Sequence, residues 1–280
     1  MKFGANTFLF TSRFTSRDTD KLEQIRDIGF SGVEVTLQEP GDFDIKEVKE
    51  ALTRTGLECC SFCGLMIEGR DLRGTEEEQR NAREFITLCI DQAAELECGL
   101  VSGPLYSTVG KTGRYTNEQR QEQLKQAAGN LEELCGYGEN LGVALALEPL
   151  LRFETDFINT CAEALELVEM AGHPNLGIHL DTFHMNVEET NPATAVLQAG
   201  QKLFNIHAAD NHRGAPGTGA FNWKGFADAV KFIHYDRYII LESFHPDVPD
   251  ISYAAAVRRK FAPSNTALAK QGLRFLQALF

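Results

Sequence analysis

Four polar residues stand where apolar runs end. Glu148 closes Ala144-Leu-Ala-Leu-Glu148, Asp181 closes Gly177-Ile-His-Leu-Asp181, His207 falls in Phe204-Asn-Ile-His207, and Glu242 closes Ile239-Ile-Leu-Glu242. They lie 33, 26 and 35 residues apart. A carboxylate at the end of an otherwise apolar strand is expensive to bury unpaired. Any one of them alone reads as a polar residue satisfied at a strand terminus. Four in step read as a donor set for a divalent cation, three carboxylates and one imidazole brought together at consecutive strand ends. Oxygen-rich ligation with one nitrogen suits a moderately hard ion, Mn²⁺ first, with Co²⁺ or Mg²⁺ as alternatives. A structural zinc site would prefer thiolates and histidines.

Such convergence needs a scaffold that repeats at the same interval. Short β-branched-rich apolar runs recur along the chain at Phe3–Phe8, Gly32–Val35, Glu58–Phe62, Gly99–Gly103, Ala144–Glu148, Gly177–Asp181, Phe204–Ala208 and Tyr238–Glu242. Between them lie segments with helical periodicity: Thr19–Ile28, Glu47–Thr55, Glu76–Leu96, Asn117–Asn140, Ala162–Ala171 and Trp223–Ile233. In Glu76–Leu96 the apolar residues Ala82, Phe85, Ile86, Cys89, Ala93 and Leu96 fall on one helical face. Gly29, Gly56, Gly142 and Gly172 each follow a helix and precede a strand, where glycine takes the left-handed conformation that ends the helix. Eight βα units in 280 residues leave about 35 residues each, and crossovers of that length give parallel strands. The pattern predicts an α/β fold, a closed (βα)8 TIM barrel with residues 1–280 as a single domain. An open doubly wound sheet is the alternative, but no glycine-rich phosphate fingerprint follows the first strand. In a barrel, chemistry gathers at the carboxyl ends of the strands, where the four residues stand.

Composition narrows the partners. Lys plus Arg number 27 against 40 Asp plus Glu, a net charge of -13, and the basic residues are not clustered. Such a chain repels phosphate backbones, so nucleic acid is not expected. No apolar stretch approaches the roughly 20 residues of a membrane helix, and the start, Met1-Lys-Phe-Gly-Ala-Asn-Thr-Phe-Leu-Phe10, does not read as a signal peptide. Seven irregularly spaced cysteines suit a reducing compartment, giving a cytoplasmic expectation. Cys60 and Cys63 have redox spacing, but they end a strand rather than open a helix and read as a buried structural pair. His179 shares a strand face with Asp181 and reads as a buried, hydrogen-bonded structural histidine.

At this point a family resemblance enters. The string Leu180-Asp-Thr-Phe-His-Met-Asn-Val-Glu-Glu189 resembles the signature of the ketose 3-epimerases, the D-tagatose, D-allulose and L-ribulose 3-epimerase group of the xylose-isomerase-like barrels. Leu147-Glu-Pro-Leu-Leu-Arg-Phe-Glu154, His207-Ala-Ala-Asp-Asn-His-Arg213, Gly217-Thr-Gly219 with Trp223, and Leu241-Glu-Ser-Phe244 resemble its other strand-end segments. The resemblance runs from about Lys2 to the C-terminal helix and is tightest from Ala144 to Phe244. It implies an isomerase, a carbohydrate 3-epimerase, with Glu148, Asp181, His207 and Glu242 as metal ligands. Glu148 and Glu242 would double as the acid–base pair, and Glu154, His184 and Arg213 would bind the sugar. Inverting carbon 3 of a ketose takes a proton from one face and returns one to the other, through a cis-enediolate. Two opposed carboxylates suit that task, and a metal on the adjacent oxygens suits the developing charge.

Two segments depart from the family pattern. After Gly4, where many members carry aromatic residues, Ala5-Asn6-Thr7-Phe8 is smaller and more polar, and Pro104-Leu-Tyr-Ser-Thr-Val-Gly110 lacks the aromatic-rich form. Asn6 and Gly103 at these strand ends are expected to border the sugar. The Gly-Thr-Gly loop leans toward the L-ribulose branch, with D-fructose/D-allulose, D-tagatose/D-sorbose and L-ribulose/L-xylulose all candidate free ketoses. A hydroxypyruvate isomerase or a 2-keto-myo-inositol dehydratase on the same barrel is the alternative enzyme, and a silent metal and sugar binding protein the alternative of another class. The family implies a homodimer or homotetramer. The apolar tail Ser264–Phe280 is suited either to closing the barrel or to joining subunits.

Overall fold

The computed structural model describes residues Met1–Phe280 as strands alternating with helices. The elements are β1 (Lys2–Asn6), α1 (Asp20–Ile28), β2 (Gly32–Leu37), α2 (Ile45–Thr55), β3 (Glu58–Gly64), α3 (Glu76–Glu95), β4 (Leu100–Gly103), α4 (Asn117–Asn140), β5 (Ala144–Leu147), α5 (Cys161–Ala171), β6 (Leu176–Asp181), α6 (Thr182–Glu188), α7 (Pro192–Ala199), β7 (Leu203–Ala208), α8 (Trp223–Phe232), β8 (Tyr238–Leu241), α9 (Pro249–Ala254) and α10 (Asn265–Leu279). All eight strands are parallel and pair in chain order. The pairing of β1 with β8, Gly4 opposite Ile240, closes the barrel. The eight expected strands and the six expected helices all form, with ends shifted by a residue or two.

Local chemistry explains the boundaries. Thr75 with Glu78, Thr116 with Gln119 and Thr160 with Glu163 form reciprocal caps that start α3, α4 and α5. The four glycines singled out after helices all have left-handed backbones, with φ of 111° at Gly29, 71° at Gly56 and Gly142, and 66° at Gly172. Asp44 accepts the Lys46 amide at 2.9 Å and starts α2 two residues before the expected Glu47. The stretch after Asp181, outside the six expected helices, forms the short helix α6, because Asp181 itself caps it by accepting the Phe183 amide at 2.7 Å.

One contiguous apolar core of 70 buried residues fills the space between strands and helices. Removing the ring of a fully buried member such as Phe62 would cost about 3–5 kcal/mol. Leu268, Leu273 and Leu276 of the tail are buried in this core, so α10 closes the barrel. The seven cysteines are free thiols; Cys63 is buried as expected but Cys60 only half-buried, and burial raises the pKa of both well above the usual thiol value. No helix is long and apolar enough to cross a membrane. Inside the barrel the filling is partly polar: Asn6, Glu34, Ser61, Ser102, His179, Asn205 and His207 are all buried and come from six strands. This polar layer positions the site.

Candidate metal centre

Strand geometry brings the four strand-end residues together. Glu148 and Glu242 sit one residue past β5 and β8, while Asp181 pairs in register with His207 across β6 and β7. One ligand atom from each of Glu148, Asp181, His207 and Glu242 lies within 4.8 Å of every other, and all four residues are buried. Three of the four are held by hydrogen bonds from outside the cluster.

His207 gives its Nε2 to Glu34 of β2, 2.6 Å away. Glu34 is saturated. Its Oε1 also accepts the Asn6 amide at 2.7 Å, and its Oε2 accepts Ser102 Oγ at 3.0 Å and Asn205 Nδ2 at 3.3 Å. The carboxylate fixes the Nε2–H tautomer and turns Nδ1 toward the cluster. Nδ1 lies 3.3 Å from Glu242 Oε2 and 3.6 Å from Glu148 Oε1, yet it makes no hydrogen bond. Burial opposes a charge on this imidazole, but Glu34 and Glu242 outweigh burial and raise its pKa well above the ordinary value.

Arg213 spans the other side. Its Nη1 donates to Asp181 Oδ2 at 2.5 Å and to Glu242 Oε2 at 2.9 Å, with the guanidinium between the rings of Phe183 and Phe244 at 4.1 and 4.9 Å. Its backbone is left-handed, φ 60°. Asp210 anchors that turn: its carbonyl accepts the Arg213 amide at 2.8 Å, and its carboxylate accepts Gly217 N at 2.9 Å and Trp223 Nε1 at 3.0 Å. His184 of α6 accepts the Leu151 amide at Nδ1, 3.1 Å, while its Nε2 lies 3.0 Å from Arg213 Nη2 and 3.7 Å from Asp181 Oδ2. Burial, then Arg213, lowers its pKa well below the ordinary value, so the imidazole is neutral. Glu154 is half-buried and feels the same charges: burial raises its pKa, while Arg213 draws it down. Burial also raises Glu148, to about 8, whereas Glu242, with His207 and Arg213 beside it, stays below the usual carboxylate value.

Glu154, His184 and Arg213 therefore gather around the centre, while Asn6 is engaged with two glutamates and Gly103 packs against β3. Asn6 spends its amide on Glu34 and on Glu242 Oε1 at 3.1 Å, which makes it a brace for the glutamates. Gly103 has φ 125° and packs against β3, where a side chain would meet Gly64 O at 3.1 Å. His179 is fully buried but, against expectation, neither ring nitrogen is hydrogen-bonded. Glu34 and Asp210 were missed. Glu34 carried a readable signal, a lone carboxylate inside the apolar run Gly32-Val-Glu-Val35.

The donor set fits a divalent cation on structural grounds. A fully buried imidazole nitrogen points, without a partner, into three carboxylates that repel one another. Such a cation would add Lewis acidity toward neighbouring carbonyl and hydroxyl oxygens.

Comparison with known proteins agrees. The sequence profile of the xylose isomerase-like TIM barrel family matches residues 22–279. A probable ketose 3-epimerase of Synechocystis sp. is 32% identical over 286 aligned positions, covering 100% of this chain and 97% of the relative. A ketose 3-epimerase of Arthrobacter globiformis is 31% identical, across 99% of this chain and 96% of the relative. The crystal structure of D-allulose 3-epimerase from Methylomonas sp. in complex with D-allulose superposes with a TM-score of 0.93 at 26% identity, covering 100% of this chain and 97% of that one. The chain belongs to the xylose isomerase-like TIM barrels and, among them, to the ketose 3-epimerase family.

Proposed function

We propose that this member of the ketose 3-epimerase family inverts carbon 3 of free ketoses, using Glu148 and Glu242 as a pair of opposed bases. The observation that carries the reading is that both glutamates are present, buried and converging beside His207 and Asp181. Bound to Glu148, Asp181, His207 and Glu242, a divalent ion would polarise the C2 carbonyl and make the C3 proton acidic.

The residues divide the remaining work. One glutamate removes the C3 proton from its face of the sugar. The electron pair left behind moves into the C2–C3 bond and onto the carbonyl oxygen, giving a cis-enediolate. The other glutamate returns a proton to the opposite face, and which one acts first follows the configuration at C3. His184 and the guanidinium of Arg213, which contact each other beside Asp181, would hydrogen-bond the oxygens where charge develops. Glu154, close enough to feel Arg213, is assigned to a hydroxyl near C1.

The mostly oxygen donor set favours Mn²⁺, with Co²⁺ or Mg²⁺ next. D-Fructose/D-allulose, D-tagatose/D-sorbose and L-ribulose/L-xylulose are the substrate pairs. The enzyme is further proposed to work as a cytoplasmic homo-oligomer, on the pattern of its family. Stripping divalent ions with a chelator and adding each metal back separately, with chromatography of the sugars, tests the reading. It stands if the C3 epimer appears with metal alone, and falls if the stripped protein is equally active or if no epimer forms with any metal.

A further inference from the structure

Of the four residues at the centre, three are braced by hydrogen bonds from the protein. Asp181 accepts from Phe183 N and Arg213, Glu242 from Arg213 and Asn6, and His207 is tied to Glu34. Glu148 has no such partner. The nearest nitrogens are His207 Nδ1 at 3.6 Å and His179 Nδ1 at 3.8 Å from its carboxylate oxygens.

His179 is the unexplained group beside it. It points from β6 into the barrel, is wholly buried, and leaves both ring nitrogens unbonded. Its ring stands edge-on to His207, 86° between planes and 4.0 Å between centroids. A buried imidazole with neither nitrogen satisfied is a liability that a leucine of similar volume would not carry. Its nitrogen also falls within ligand range of Glu148 and His207, though not of the whole set of four, so it stands at the Glu148 side of the centre.

We propose that His179 is the positioning residue for Glu148: it donates its Nδ1–H to the Oε2 of Glu148 when that carboxylate is ionised on a bound cation. The gap of 3.8 Å is less than 1 Å beyond an N–H···O⁻ hydrogen bond, within reach of a small turn of either side chain. The bond supplies the brace that Glu148 alone lacks and satisfies one of the orphaned nitrogens. It acts through Glu148 and does not touch the sugar. The proposal rests on the metal-centre reading above, but not on the identity of the substrate.

The test compares His179→Leu with His179→Asn, two replacements with the same four-atom branched skeleton, of which asparagine alone offers an N–H near the position of Nδ1. Co²⁺ binding is followed by visible absorption, alongside the melting temperature of the metal-free proteins. His179→Leu should weaken Co²⁺ binding by on the order of 10-fold or more. It should do so without lowering the metal-free melting temperature, since the orphaned nitrogens are gone. His179→Asn should bind within about threefold of the unaltered protein. Equal Co²⁺ affinity in His179→Leu and the unaltered protein overturns the proposal, as does an asparagine variant no better than leucine. An unaltered protein that binds no Co²⁺ removes the metal centre itself, an outcome distinct from both.

Discussion

Glu34 and His207 sit on different strands, yet the 2.6 Å contact between them decides which way the only imidazole of the centre can point. With Nε2 given to Glu34, Nδ1 is the one nitrogen left to face Glu148, Asp181 and Glu242. The carboxylate acts from the far side of the ring and never enters the ligand set, as outer partners of metal-bound histidines generally do.

Replacing Glu34 with glutamine should therefore damage the centre from a distance. The new amide N–H group would face donors, since every partner of Glu34 already donates to it. Metal affinity should fall by roughly 10- to 100-fold, and urea unfolding of the metal-free protein should lose about 1–3 kcal/mol. Unchanged affinity and stability would show that Glu34 merely fills space.

Metal-free stability should decline between about pH 6.5 and pH 8, above the range in which the lowered His179 and His184 act in the opposite direction. Glu148 is raised from 4.5 to about 8, chiefly by burial. Its protonated form is the one favoured by folding, so that contribution is complete below 4.5 and disappears as pH climbs through about 8. His207, also raised, loses its contribution in the same direction. Glu242 is lowered, so its contribution is lost only in acid below 4.5, outside this window. A cation must displace these protons, so the gain in melting temperature on adding Mn²⁺ should grow with pH across that range. Melting scans from about pH 6.5 to 8, with and without metal, check this; a constant difference would contradict it.

Arg213 to lysine should separate substrate handling from metal binding. The planar guanidinium is fixed between Phe183 and Phe244, and a lysine ammonium cannot keep the stacking, the Nη1 bonds to Asp181 and Glu242 and the Nη2 contact with His184 at once. The expected loss in kcat/KM is on the order of 10²-fold, while Mn²⁺ affinity by titration falls by no more than about 10-fold, because the Phe183 amide still holds Asp181 and Asn6 still holds Glu242. A loss of kcat/KM no larger than the loss of Mn²⁺ affinity would make Arg213 a brace for the ligands alone and not a group for the sugar.

Much of this was legible in the sequence because the barrel repeats. Glu148, Asp181, His207 and Glu242 announce themselves as polar ends of apolar runs, and the repeat length dictates that such ends meet. What stayed hidden depends on partners distant in the chain. Asn6 reads as a residue near the sugar until the structure shows it bridging Glu34 and Glu242, and nothing in its neighbours along the chain signals that bridge. Helix α6 was hidden because Asp181 serves both as a strand end and as a helix cap, and periodicity assigns one role per residue. His179 could be placed on the inward face by alternation alone, but its lack of a hydrogen bond is a property of the packed interior.

The central claim is proton transfer at carbon 3, and deuterium reads it directly. The Mn²⁺-loaded protein is incubated in D₂O with D-fructose, D-tagatose and L-ribulose separately, and carbon-bound deuterium is followed by NMR. Two opposed glutamates predict deuterium at C3 together with the C3 epimer, fastest for the preferred ketose. Deuterium at C1 or C2 with an aldose product, or no exchange with any of the three sugars while metal remains bound, would contradict it.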